Sequence, residues 1–239
     1  MKQIGFAIMT FAVYTALVNW KVAALLTIGI GFHEYSHLLA AKHLGLRTQG
    51  FYLLPFMGGV AFVTDKYKSY GQQAFVVIMG PVGGGLLALA TMLAWHITGE
   101  PFLAAAAAWM CFLNLFNLLP LSFMDGGQLM STISYSRNKT LGMVLNALST
   151  LFATGFLWHY NPVLSILIGF LGGGSVMAEI TNWKNFRNGK SWLCDDNYLN
   201  PPKPLSNKEM ALTIGGWALT ILVLVLAKNY LAGFPESNL

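Results

Sequence analysis

Residues 22–46 read VAALLTIGIGFHEYSHLLAAKHLGL, an apolar stretch long enough to cross a bilayer, with His33-Glu34-Tyr35-Ser36-His37 set inside it. On a helix, residues four apart share a face. The two imidazoles of this pentad can therefore hold one zinc ion while Glu34 reaches a water bound to it. A charged side chain at the centre of a bilayer costs about 2.5–3.5 kcal/mol even on the lenient insertion scale, so three polar side chains at that depth mark a functional site.

The rest of the chain has the same character. Its 239 residues are 55% hydrophobic and only 10% charged, where a soluble domain carries about 25% charged residues. The fold class expected is an all-α polytopic membrane protein with six to seven transmembrane helices. Apolar spans fall near Ile4–Trp20, Val22–Leu46, Gln72–Thr98, Phe102–Leu121, Thr140–Trp158, Pro162–Ile180 and Met210–Leu231. With the N-terminus in the cytoplasm and seven alternating spans, twelve of the 14 Lys and Arg residues face the cytoplasm, leaving Lys21 and Lys228 outside. This positive-inside bias sets the orientation. The net charge of +5 thus reports topology and contact with the lipid bilayer. No nucleic-acid partner is expected, because no basic stripe with interleaved aromatics appears. Cys111 falls within a span and Cys194 in a loop, so no disulfide framework is expected.

Two polar stretches interrupt the spans. In the first, residues 51–63 are rich in aromatic and β-branched types around Gly58-Gly59, which predicts two short strands or a membrane-associated hairpin. An exposed edge around Gly58, Gly59 and Val60 suits an extended substrate segment held by strand addition. The second, residues 182–208, carries Trp183, Phe186 and Trp192 among basic residues and then Asn200-Pro201-Pro202-Lys203-Pro204. It reads as an interfacial segment followed by an extended linker.

Two histidines leave zinc short of a ligand, since catalytic sites offer three protein ligands and one open position. His37 lies sixteen residues past Lys21, roughly 24 Å inward at the helical rise. His96, Glu100 and His159 fall at the outer ends of their spans, and His43 faces another side of its helix. Asp125 fits by depth. Pro120 disrupts regular helix and Gly126-Gly127 allow a tight turn, so irregular backbone can present Asp125 at the right level. Glu179, at a helix end near the same face, is a lesser candidate.

At these residues the chain resembles the site-2 protease family of intramembrane zinc metalloproteases, peptidase family M50. His33-Glu34-Tyr35-Ser36-His37 matches its HExxH. Asn117-Leu118-Leu119-Pro120 through Asp125-Gly126-Gly127 resembles its N-x-x-P…D-G motif, and Gly58-Gly59-Val60-Ala61 is similar to a Gly-Gly element between its core helices. The resemblance implies one Zn2+ per chain on His33, His37 and Asp125, Glu34 as general base, and Asn117 as a donor to the developing oxyanion. It implies hydrolysis of peptide bonds within or near transmembrane segments of membrane-protein substrates, in regulated intramembrane proteolysis. It also implies one membrane-embedded metalloprotease domain over 1–239. The catalytic core would cover about 22–136, with accessory helices at about 140–231 and a cytoplasmic loop at 182–208. The location expected is the cell (inner) membrane, multi-pass, with the site nearer the cytoplasmic face. The chain departs from the family in two places. Ser122-Phe123-Met124 stands where many relatives have Pro-Pro before Leu-Asp-Gly. Gly84 stands where many have Asn in G-P-x-x-N, so that polar contact is expected to be absent, with Gly80 and Gly84 allowing close helix packing. No segment is large enough for an inserted PDZ or appended CBS domain.

Two other functions are weaker fits. A non-catalytic zinc-binding protein or pseudoprotease would be free to lose the base or a histidine. A metal-ion transporter would want polar groups at successive depths.

Overall fold

The computed structural model describes residues 2–17, 19–55, 58–121, 124–160, 162–194 and 199–232. Phe56-Met57 in the hairpin and Ser122-Phe123 before Asp125 lie outside them. The elements are α1 (Lys2–Leu17), α2 (Trp20–His43), β1 (Thr48–Leu54), β2 (Gly58–Val63), α3 (Tyr70–Thr98), α4 (Pro101–Asn117), α5 (Asp125–Arg137), α6 (Lys139–Tyr160), α7 (Pro162–Arg187), a short 3-10 turn (Ser191–Leu193) and α8 (Asn207–Ala232). Backbone packing divides the chain into two compact units. The first holds Met1–Lys66, Phe75–Leu118 and Ile214–Leu239, and the second Tyr67–Ala74 and Leu119–Thr213.

Three helical segments among the described residues are long and apolar enough to cross a membrane: Tyr70–Thr98, Lys139–His159 and Asn207–Ala232. Gln3–Leu17 and Pro101–Asn117 are apolar but shorter. Large hydrophobic side chains point outward along these helices, with Ile4, Leu93, Ile97 and Leu151 each more than 60% exposed. The buried set includes His33, Glu34, Asn114, Asp125 and Thr132. Apolar side chains facing outward, with these polar groups buried among a mainly apolar core, suit a lipid solvent.

In the first unit, α2 is built around the pentad. Asn19 caps its start, accepting from the Val22 N–H at 2.9 Å. Its end closes at Gly45, whose φ of 73° is the left-handed conformation that glycine adopts freely. Leu46 N–H returns to the Ala41 carbonyl at 3.0 Å and Gly45 N–H to Lys42 at 2.9 Å, which satisfies carbonyls of the last turn. The chain then enters the expected hairpin, antiparallel with Tyr52 opposite Val60 and Leu53 opposite Gly59. Arg47 and Asp65 join across its base at 2.7 Å. At that exposure the pair adds little to stability. The hairpin is fixed from both sides. Buried Thr10 of α1 donates to the Leu53 carbonyl at 2.9 Å, and Gly31 of α2 brings the helix backbone against Leu53 and Phe51.

α3 contains Pro81, which gives no N–H to the helix ladder and loosens the turn before it. α8 runs alongside in the same direction. Gly216 meets Ile78, Gly85 meets Leu224, and His96 stacks on Tyr230 at 5.6 Å between ring centroids.

The second unit packs α5 against α6 and α6 against α7. Gly172 abuts Thr150, Gly169 abuts Thr154, and Ser165 donates to the Thr154 carbonyl at 2.7 Å. Small residues here let two helices approach closely. Ser206 and Glu209 form a reciprocal cap at the start of α8, Ser206 N–H donating to Glu209 at 2.8 Å and Glu209 N–H to Ser206 Oγ at 3.2 Å. The extended stretch expected around Lys203 pairs with Ser69, and Tyr70 N–H donates to the Lys203 carbonyl at 3.0 Å.

Candidate metal centre

His33, Glu34 and His37 project from the middle of α2 and are 5%, 7% and 8% exposed. One helical turn separates the two imidazoles, whose centroids are 4.9 Å apart and whose Nε2 atoms are 3.1 Å apart.

The other ring nitrogens face acceptors. His37 Nδ1 lies 2.8 Å from the Val76 carbonyl oxygen, in the turn of α3 before Pro81. A carbonyl can only accept, so His37 Nδ1 carries the proton and donates. His33 Nδ1 lies 2.9 Å from Oδ1 of Asn114 on α4. With both Nδ1 positions protonated, neutral imidazoles present lone pairs at Nε2. Two lone pairs converging at 3.1 Å repel unless a cation sits between them. Nitrogens each about 2.0–2.1 Å from a tetrahedral zinc stand about 3.3 Å apart. The donor set therefore fits zinc.

Glycines make the room. A Cβ at Gly80 of α3 would overlap His37 Nε2 and come within 2.8 Å of His33 Nε2. A Cβ at Gly83 would overlap Ser36 Oγ, and one at Gly84 would overlap Asn114 Oδ1. The close packing expected of Gly80 and Gly84 is present, and its purpose is to seat polar side chains. The polar contact expected to be missing at position 84 has a counterpart here, because the amide of Asn114 occupies that space. On the other side, β2 presents Gly59 to Glu34, where a Cβ would stand 2.7 Å from Oε1. Gly58 opens β2 with φ 81°, and Val60 is partly exposed on the strand.

Asn117 is the last residue of α4 and half-buried. It stands one helical turn beyond Asn114, on the same side of the helix. Asp125 belongs to the second unit, as the first residue of α5, 8% exposed. A carboxylate in the first turn is favoured by the helix dipole. Glu179, also in the second unit, neighbours Tyr135 and Asn146. Burial, and then Glu179, push the Tyr135 hydroxyl above the usual tyrosine range. His43, His96, Glu100 and His159 are exposed.

Asn114 is the residue that motif reading passed over. Its signal was an amide one turn before Asn117 in an otherwise apolar helix, a position where polar side chains need partners.

Residues 21–99, which carry α2, the hairpin and α3, match the family profile described as Peptidase family M50. The chain is 32% identical over 135 residues to a zinc metalloprotease of Methanocaldococcus jannaschii, covering 54% of this chain and 38% of that protein. It is 28% identical over 168 residues to a protein of Synechocystis sp. whose name places it among the zinc metalloproteases, covering 67% of this chain and 42% of that one. The chain thus spans about two-fifths of the length of the curated relatives it matches. The matched segment contains the whole pentad, so over residues 21–99 the chain is similar to peptidase family M50.

Proposed function

We propose that this chain is an intramembrane zinc metalloprotease that hydrolyses peptide bonds within or near transmembrane segments of membrane-protein substrates. One observation carries the reading: two buried imidazoles converge through Nε2 beside a buried glutamate, in the middle of an apolar helix. The match of residues 21–99 to the M50 profile, and the zinc metalloproteases the chain resembles, support zinc as the metal.

His33 and His37 would hold the ion, with Asp125 as the third ligand. The support for Asp125 is its burial and its place eight residues after Asn117, the spacing of the family motif. Bound zinc would supply a Lewis acid and a water acidic enough to lose a proton near neutrality. Glu34, buried beside the two histidines, would act as the general base, accepting a proton from the attacking water and returning it to the leaving amine. Asn117 donates to the oxygen that gains charge at the scissile carbonyl. A substrate helix hides its carbonyls in hydrogen bonds, so the segment to be cut must be extended. The outer edge of β2, at Gly58, Gly59 and Val60, suits holding it by strand addition.

Six to seven spans follow from the apolar runs, and a cytoplasmic N-terminus with a site nearer the cytoplasmic face follows from the charge bias across them. The core about 22–136 and the helices about 140–231 would form one membrane-embedded domain.

The test uses purified protein in liposomes with a single-span substrate. A chelator should remove zinc and cleavage together, and added zinc should restore both. Cleavage that persists in zinc-free protein would overturn the reading.

A further inference from the structure

We propose that Asn114 is a positioning residue for the metal centre: its amide, delivered from α4 into space left open by Gly84, fixes the tautomer of His33 and aims Nε2 at the ion. This rests on the zinc reading above.

Asn114 is 3% exposed, and a buried amide is costly unless its donors and acceptors are met. Its Nδ2 donates to the Met110 carbonyl, one turn back on α4, at 2.7 Å. That bond sets which way the amide faces, because a carbonyl accepts and never donates. Oδ1 is then the atom turned to His33 Nδ1, 2.9 Å away. Being an acceptor, it requires the proton on Nδ1. A neutral imidazole holds one such proton, so Nε2 is left as the lone pair. The relay runs from the α4 backbone through the amide to the ring. His37 receives the same instruction from the Val76 carbonyl. Outer partners of this kind orient ligand rings and raise their basicity.

The space comes from α3. A Cβ at Gly84 would overlap Asn114 Oδ1 and stand 2.6 Å from Nδ2 and 2.7 Å from Cγ. The amide of Asn114 therefore fills the volume that a side chain at position 84 would take. An asparagine at 84 would reach the same place from the opposite helix, provided Asn114 were gone.

The test measures zinc affinity of the full chain in detergent by chelator competition. It compares wild type, Asn114→Ala, Gly84→Asn and the double variant Gly84→Asn/Asn114→Ala. Asn114→Ala should weaken zinc binding about 10–100-fold. Gly84→Asn alone should also weaken it, since two amides compete for one volume, and the double variant should bind more tightly than either single one. Nitrogen NMR of histidine-labelled, zinc-free protein gives a second readout. His33 should be in the Nδ1–H form in wild type and a mixture of tautomers in Asn114→Ala. Wild-type affinity in Asn114→Ala, a double variant no tighter than the singles, or a His33 still wholly Nδ1–H without Asn114 would overturn the proposal. Failure of the zinc reading is seen separately, as equal zinc binding by wild type and His33→Ala.

Discussion

Gly59 on β2 faces the side chain of Glu34 on α2 so closely that a methyl group at position 59 would overlap Glu34 Cγ. The hairpin thus limits where the glutamate can lie. Gly59→Ala should swing that carboxylate away from its working position. Turnover of a transmembrane substrate should fall on the order of 10²-fold, the scale of a 1 Å misplacement of a reacting group. Zinc content should not change. Wild-type turnover in Gly59→Ala would show that the hairpin does not position the base.

Gly80 makes a sharper separation of stability from function. Alanine favours a helix interior over glycine by about 0.8–1 kcal/mol, so Gly80→Ala should cost α3 nothing as a helix. Its methyl group would meet the Nε2 atoms of both histidines. Zinc affinity should fall at least tenfold, because the imidazoles must shift to admit the methyl group, while the helix content of the zinc-free protein is unchanged. Equal zinc affinity, measured by chelator competition, would contradict the geometry assigned to the pair.

Much of this was legible in the sequence because it depended on local periodicity. The pentad sits mid-helix as its spacing requires, and the aromatic and β-branched run around Gly58-Gly59 forms the hairpin. The helices fall within a few residues of the apolar runs, except that α7 runs on seven residues past Ile180 to Arg187, and α5 is an added helix after the Asn117–Asp125 loop. Among the described residues, three helices meet the length and hydropathy of a span, fewer than the six to seven expected from the apolar runs. α1 and α4 have only 16 and 17 residues, and α2 is diluted by its own polar pentad. Asn114 was legible as an amide in an apolar helix, but its role was not. Its partner is 81 residues away, and the contact exists only because Gly84 lets α3 pass close to α4. No local pattern encodes such a three-helix coincidence.

Asp125 is the next ligand to test. Asp125→Ala should reduce zinc affinity at least tenfold, read by elemental analysis after dialysis against a zinc buffer. Glu179→Gln should leave it unchanged, because that carboxylate lies beside Tyr135 and Asn146 within the second unit. The reverse pattern would move the third ligand to Glu179.

The central claim is that Glu34 is the base of a zinc-dependent peptide hydrolysis. The most direct measurement is cleavage of a co-reconstituted single-span substrate by Glu34→Gln, with zinc measured on the same samples. The account predicts wild-type zinc content and turnover lower by about 10²–10⁴-fold or more, the range that general acid–base catalysis supplies. Undiminished cleavage by the zinc-loaded Glu34→Gln protein would contradict it.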